Sequence, residues 1–141
     1  MSRAGLLSAI VTVAALGAGV GPVNARAVDS HASATRLKVT LIEFKLTPSV
    51  KRAAPGRVTF VVRNAGKIAH EFVVLKTKTP AGKLPTKGAR AVETGRVGKI
   101  GTLAPGKTKS LTLRLRRGHY ALLCNLPGHY ASGMQAAFTV K

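Results

Sequence analysis

The amino-acid sequence from residue 36 onward predicts an all-β sandwich of seven or eight short strands. Three observations carry that reading. Apolar and polar residues alternate with a period of two, most plainly in KSLTLRLR at 109–116. Turn signals recur at strand spacing, with Ala-Pro-Gly at 54–56 and again at 104–106. No stretch after residue 27 shows the 3.6-residue apolar period of a helix.

The first strand is expected over Arg36–Phe44. Leu37, Val39 and Leu41 fall on one face there, and the phase then shifts at Ile42 and Phe44 as at a bulge or a switch of sheet. Residues 46–54 contain Pro48 and read as an edge strand, because proline cannot donate to a ladder. Arg57–Asn64 is β-branched and aromatic, hence a strand. Ala65-Gly66-Lys67 turns it, and Ile68–Leu75 returns with His70, Phe72 and Val74 on one face and Glu71, Val73 and Leu75 on the other. Residues 76–91, with two Pro, two Gly and five basic side chains, read as a long mobile loop. Arg96–Leu103 is a weaker strand, Lys109–Arg116 an amphipathic one, and Gly118 turns the chain into Tyr120–Cys124. Gln135–Val140 closes the domain.

Residues 1–27 read as a secretory signal: Arg3, an apolar run from Leu6 to Val20, and the small-x-small site Ala25-Arg26-Ala27. The run is short and broken by glycines for a membrane span. An uncleaved N-terminal anchor is the alternative. Residues 28–35 form a flexible leader in which His31 is a solvated tail residue. Residues 36–141 form one domain, expected to be exported to the periplasmic or extracellular side, soluble and monomeric.

The whole chain has 23 Lys and Arg against 4 acids, a net charge of +19. Without Arg3 and Arg26 the exported part keeps 21 basic residues and all four acids, which leaves +17. Such a charge implies acidic redox protein partners or an anionic membrane surface. Specific nucleic-acid binding is not expected, since no reader motif or aromatic stacking ladder is present. A single cysteine cannot form an internal disulfide, so in an oxidising compartment Cys124 must be buried, paired to another chain, or bound to metal.

The chemistry concentrates in HYALLCNLPGHYASGM, residues 119–134. Cys124, His129 and Met134 offer a thiolate, an imidazole and a thioether on one loop. Pro127-Gly128 folds His129 back toward the sulfur, and Gly133 frees the backbone before Met134. A trigonal site of two His and one Cys with a weak axial Met is the geometry of a blue-copper electron-transfer centre. The second imidazole must come from elsewhere, and His70, carried on a strand after the Asn64–Gly66 turn, is the candidate. His119 reads as a surface residue, and Tyr120 and Tyr130 as packing around the loop.

NAGKIAHEFVV together with YALLCNLPGHYASGM resembles the cupredoxin family, and the likeness spans essentially the whole of residues 36–141. The C-x4-H-x4-M loop is similar to those of auracyanin-like and rusticyanin-like members, longer than the plastocyanin loop and one residue longer than the azurin loop on the Met side. The resemblance implies a Greek-key sandwich. It also implies one mononuclear type 1 copper held by His70 and His129 through Nδ1, by the Cys124 thiolate and by axial Met134. His129 would be the port for electrons, among Leu126 and Pro127. Several members carry Asn directly after the first His, tying the copper loops together; this chain has Glu71 there, which reads as a solvated or Lys-paired carboxylate.

The expected function is an exported one-electron carrier cycling copper between Cu(I) and Cu(II). A copper chaperone or storage protein is the alternative, weakened by the single Met after residue 27. An enzyme is disfavoured, because only His31 and His119 remain for a second copper and no His-x-His pair occurs. Lys76, Lys78, Lys83 and Lys87 are candidate steering charges.

Overall fold

A computed structural model of the protein describes residues 34–141. The signal at 1–27 and the leader residues through Ser33, His31 included, lie outside the described residues. Among the described residues no helix is long and apolar enough to cross a membrane.

The alternating segments form strands β1 (Thr35–Ile42), β2 (Lys45–Pro48), β3 (Arg52–Ala53), β4 (Gly56–Asn64), β5 (His70–Lys76), β6 (Thr86–Lys87), β7 (Arg90–Ala91), β8 (Arg96–Leu103), β9 (Thr108–Leu115), β10 (Gly118–Leu123) and β11 (Gln135–Val140). Eight of these have four or more residues, in line with the sequence reading. One sheet runs β2-β1-β4-β9 and the other β3-β11-β10-β5-β8, with β6-β7 as a small separate ribbon. The chain changes sheet from β2 to β3, from β3 to β4, from β4 to β5, from β8 to β9 and from β9 to β10, the wiring of a Greek-key sandwich.

The inward residues of the four-stranded sheet are those the alternation marks: Leu37, Val39 and Leu41 on β1, Val58, Phe60 and Val62 on β4, Leu111, Leu113 and Leu115 on β9. They meet Phe72, Val74, Leu122 and Phe138 of the facing sheet. Phe60 packs against Phe72 and Phe138 with ring centroids 5.3 and 5.6 Å apart. Burying these large rings and aliphatic side chains is the main force closing the sandwich.

Four expectations are corrected. Thr35, assigned to the leader, already pairs with Val58 as the first residue of β1. β1 ends at Ile42 in a turn, leaving Ile42 and Phe44 exposed, and β2 pairs with β1 in the same sheet, so the phase shift marks a corner and neither a bulge nor a switch of sheet. The edge strand expected over 46–54 is two strands: β2 edges one sheet and β3 the other, with Pro48 ending the first. Residues 76–91 are a packed cover. Ala81, Leu84 and Ala91 are buried with Val73, Leu75, Ala121, Leu123 and Tyr130 in a second apolar cluster on the outer face of the five-stranded sheet. This explains why Val73 and Leu75 are as buried as the opposite face of β5: that strand is covered on both sides.

Candidate metal centre

His70, Cys124 and His129 converge at one end of the sandwich, their ligand atoms all within 4.8 Å of one another. His70 Nδ1 lies 3.2 Å from His129 Nδ1, Cys124 Sγ 3.4 Å from His129 Nδ1, and Cys124 Sγ 3.8 Å from His70 Nδ1. The point equidistant from these atoms is about 2.0 Å from each, the length of a metal–imidazole bond. Two imidazoles and a thiolate at that spacing fit a soft or borderline ion. It is Nδ1 of both rings that faces the sulfur, as the resemblance implies.

Each donor is held by its element. His70 opens β5 and is fully buried. The preceding loop is shaped by buried Asn64, which accepts the Gly66 N–H at Oδ1 (2.9 Å) and donates from Nδ2 to the carbonyls of Ile68 and Leu103 (2.8 Å each). Cys124 directly follows β10, and its N–H bonds to the Met134 carbonyl at 3.0 Å, closing the ligand loop at its base. Within the loop the His129 N–H returns to the Leu126 carbonyl (3.0 Å), the turn expected at Pro127-Gly128, and the Met134 N–H bonds to the His129 carbonyl (3.1 Å). Gly133 has φ of +103°, a conformation that favours glycine. Met134 is fully buried in the same apolar cluster as Cys124.

Burial acts in opposite senses on the two sealed donors. Burial drives the His70 pKa below its ordinary value, and the neighbouring His129 adds to this, so the ring is neutral and able to coordinate. Burial also raises the Cys124 thiol, opposed by backbone N–H groups of Glu71 and Leu126 that point at the sulfur. The Glu71 N–H reaches Sγ at 3.2 Å. Without a cation Cys124 is therefore a protonated thiol, and binding a metal must release that proton.

Three further residues build the site without having stood out in the sequence. Glu43, in the turn after β1, accepts the N–H groups of Lys67 (2.7 Å) and Ile68 (2.9 Å), chiefly through which its carboxyl is pulled down to about 2. The same Oε1 lies 3.4 Å from His70 Nε2, close but too poorly directed for a hydrogen bond, so that buried nitrogen stays unpartnered. A Cβ on Gly66 would run into this carboxylate. Phe44, 45% exposed, meets the His129 ring edge-on, with centroids 5.3 Å apart. One corner thus touches both imidazoles. Asn125 ties the ligand loop to the cover, accepting the Ala91 N–H (2.8 Å) and donating to the Ala91 carbonyl (3.0 Å) and Glu93 Oε1 (2.8 Å). Glu43 carried one signal: it is one of only four acids in the chain.

Glu71 is Lys-paired, as read. Its Oε2 is 3.1 Å from Lys99 Nζ, which lies 3.6 Å from Glu93 Oε1. The chain Glu71–Lys99–Glu93–Asn125 therefore links the residue after His70 to the residue after Cys124, the tie that the missing Asn had put in doubt. Tyr130 packs under the loop as expected: its hydroxyl donates to the Ala81 carbonyl (2.8 Å) and accepts the Leu84 N–H (2.9 Å). Tyr120 does not. It sits at the far end of β10 and donates to the Arg116 carbonyl (2.7 Å). His119 is exposed, as read.

An antiparallel and parallel mixed sandwich with a two-histidine, one-cysteine centre at one end defines a copper-protein class. Residues 33–141 match the family model described as copper binding proteins of the plastocyanin/azurin family, and the chain belongs to that family. Among solved structures it is similar to dithionite-reduced auracyanin from the photosynthetic bacterium Roseiflexus castenholzii, at 23% identity and a TM-score of 0.57, covering 77% of this chain and 98% of that one. Auracyanin A, a "blue" copper protein from the green thermophilic photosynthetic bacterium Chloroflexus aurantiacus, matches at 18% identity and 0.57, covering 76% and 98%. Rusticyanin from Thiobacillus ferrooxidans matches at 21% and 0.52, covering 75% and 76%. At these identities the neighbours speak for the cupredoxin fold. No curated protein sequence matches the chain. The family and the donor set make copper the metal of this centre.

Proposed function

We propose that the protein is an exported one-electron carrier whose single type 1 copper would be held by His70, Cys124, His129 and Met134. The observation that carries this reading is the donor triangle, closed to bonding distance by backbone hydrogen bonds that do not involve a metal. Copper supplies the one-electron couple. The protein's part is to hold the donors still: β5 and β10 fix His70 and Cys124, and the turn at Leu126–His129 fixes the second ring. The Glu71 and Leu126 N–H groups stabilise negative charge on sulfur and so bear on the potential. His129 is half-buried beside exposed Phe44 and Pro127, whereas His70 is sealed, which makes the His129 edge the exit for electrons. A dithionite-reduced neighbour and one described as a blue copper protein agree with this reading.

The burial of His70 and Cys124 weighs against a chaperone, which must hand its metal over. The export signal supports a periplasmic or extracellular carrier, and N-terminal sequencing of the exported protein tests it: cleavage after Ala27 is expected, and an intact Met1 or Ser2 rejects it. Acidic redox proteins are the proposed partners, steered by exposed Lys76, Lys78, Lys83 and Lys87. The test of the centre is Cu(II) titration of the purified protein. Intense visible thiolate-to-copper absorption, bleached by a reductant and absent in Cys124→Ser, is expected. A colourless product with its thiol intact overturns the proposal.

A further inference from the structure

One face of the protein carries cations with none of the described acids among them. On the outer face of the four-stranded sheet, β1 presents Arg36 and Lys38, β2 Lys45, β4 Arg57 and Arg63, and β9 Arg114, all exposed. Arg57 and Arg114 stand directly opposite each other across β4 and β9, an arrangement that costs stability through like-charge repulsion. Most positions between these cations carry hydroxyls, and Thr59 and Thr112 bond to each other at 2.8 Å. Among the described residues no acidic side chain lies on this face. The three described acids are elsewhere: Glu43 at the metal corner, Glu71 on β5 and Glu93 before β8.

The face continues at its end away from the metal centre into a cleft of about 600 Å³ lined by Arg114, Arg116 and Arg117 with Pro55, Gly56 and Leu115. The Tyr120 hydroxyl holds the Arg116 carbonyl there. Six cations on one sheet face, with half-buried Val61 at its middle and Ile42 only at its metal end, offer no apolar anchor of the kind a tight protein interface uses. They do match a broad, laterally uniform layer of phosphate groups.

We infer that this face docks the protein on an anionic phospholipid surface. The occupant is the lipid headgroup layer, bound electrostatically. Arg63 and Lys45 lie nearest the metal end and the arginine cleft takes headgroup phosphates at the other. Docked this way, the covered face of the other sheet points away from the bilayer. This docking does not depend on copper.

The test is vesicle co-sedimentation of the full chain with phosphatidylcholine alone and with phosphatidylcholine containing phosphatidylglycerol, read as the ratio of the two affinities so that any N-terminal insertion cancels. The double variant Lys38→Glu/Arg57→Glu should lower that ratio by about tenfold or more. Lys78→Glu/Lys83→Glu, which removes the same charge from the opposite sheet, should leave it within about twofold. Arg36→Gln/Arg63→Gln is the milder companion should the reversal impair folding, with an unchanged melting temperature as the check. Equal losses in both double reversals mean that net charge alone acts, and overturn the proposal. So does selective binding to soluble polyphosphate with no preference for anionic vesicles, which would make the partner a dissolved polyanion. Because the readout is sedimentation, it stands or falls separately from the blue-copper absorption.

Discussion

The outer faces of the two sheets have opposite surroundings. Over the five-stranded sheet, residues 77–92 fold down as a cover, burying Ala81, Leu84 and Ala91 on Val73 and Leu75. The four-stranded sheet has no such cover, and its outer face carries mainly cations and hydroxyls, with Val61 and Ile42 as its apolar residues. The cover is also what the metal loop leans on: Asn125 bonds to Ala91, the Gly128 N–H to the Ala89 carbonyl (2.8 Å), and Tyr130 to residues 81 and 84. One face is spent on holding the centre and the other is left free for solvent or a surface. Damage to the first should therefore reach the metal, and damage to the second should not.

The largest effect is expected from Asn125→Ala, which strips Ala91 of both backbone partners and Glu93 of a donor. A loss of about 3 kcal/mol in denaturant unfolding is expected, with a shifted thiolate-to-copper band. An unaltered band would separate cover from centre. Tyr130→Phe removes the hydroxyl and leaves the buried Leu84 N–H unpaired, for about 1–2 kcal/mol by the same measurement.

Acidification should produce a smaller loss in the metal-free protein. His70 is held below 6.5 in the folded state, so the unfolded chain takes up its proton first and stability falls as pH drops beneath about 6.5. A second loss follows below 4.5, because the Glu43 carboxyl stays ionised down to about 2 in the fold. Both groups belong to the metal end and none to the bare face. Melting curves between pH 7 and pH 4 read this, and His70→Gln should remove the first step. The smallest effect, and of opposite sign, is Arg57→Glu. It converts a like-charge pair with Arg114 into an attractive one and should stabilise by about 0.5 kcal/mol without moving the copper absorption.

Much of this was readable before any fold was in hand. Leu37, Val39 and Leu41, or Leu111, Leu113 and Leu115, announce their face by period alone. Cys124, His129 and Met134 announce a soft donor set by spacing, and His70 needed only a strand to sit on. What stayed hidden depends on partners far along the chain. Ala81, Leu84 and Ala91 are too few and too irregularly spaced to look buried until β5 and β10 lie beneath them. Asn125 looks like any turn asparagine until Ala91 is beside it. Glu43 shows its role only when the loop of Lys67 and Ile68 closes over it, 24 and 25 residues away.

That corner at Glu43 and Phe44 bears on how the pocket comes together. It supplies no donor, yet it meets His70 from one side and His129 from the other, and those two rings are 59 residues apart. Three stretches so distant in sequence meet only after long loops have closed, so the approach of the two rings is tied to the closing of the whole sandwich and is not a property of the ligand loop alone.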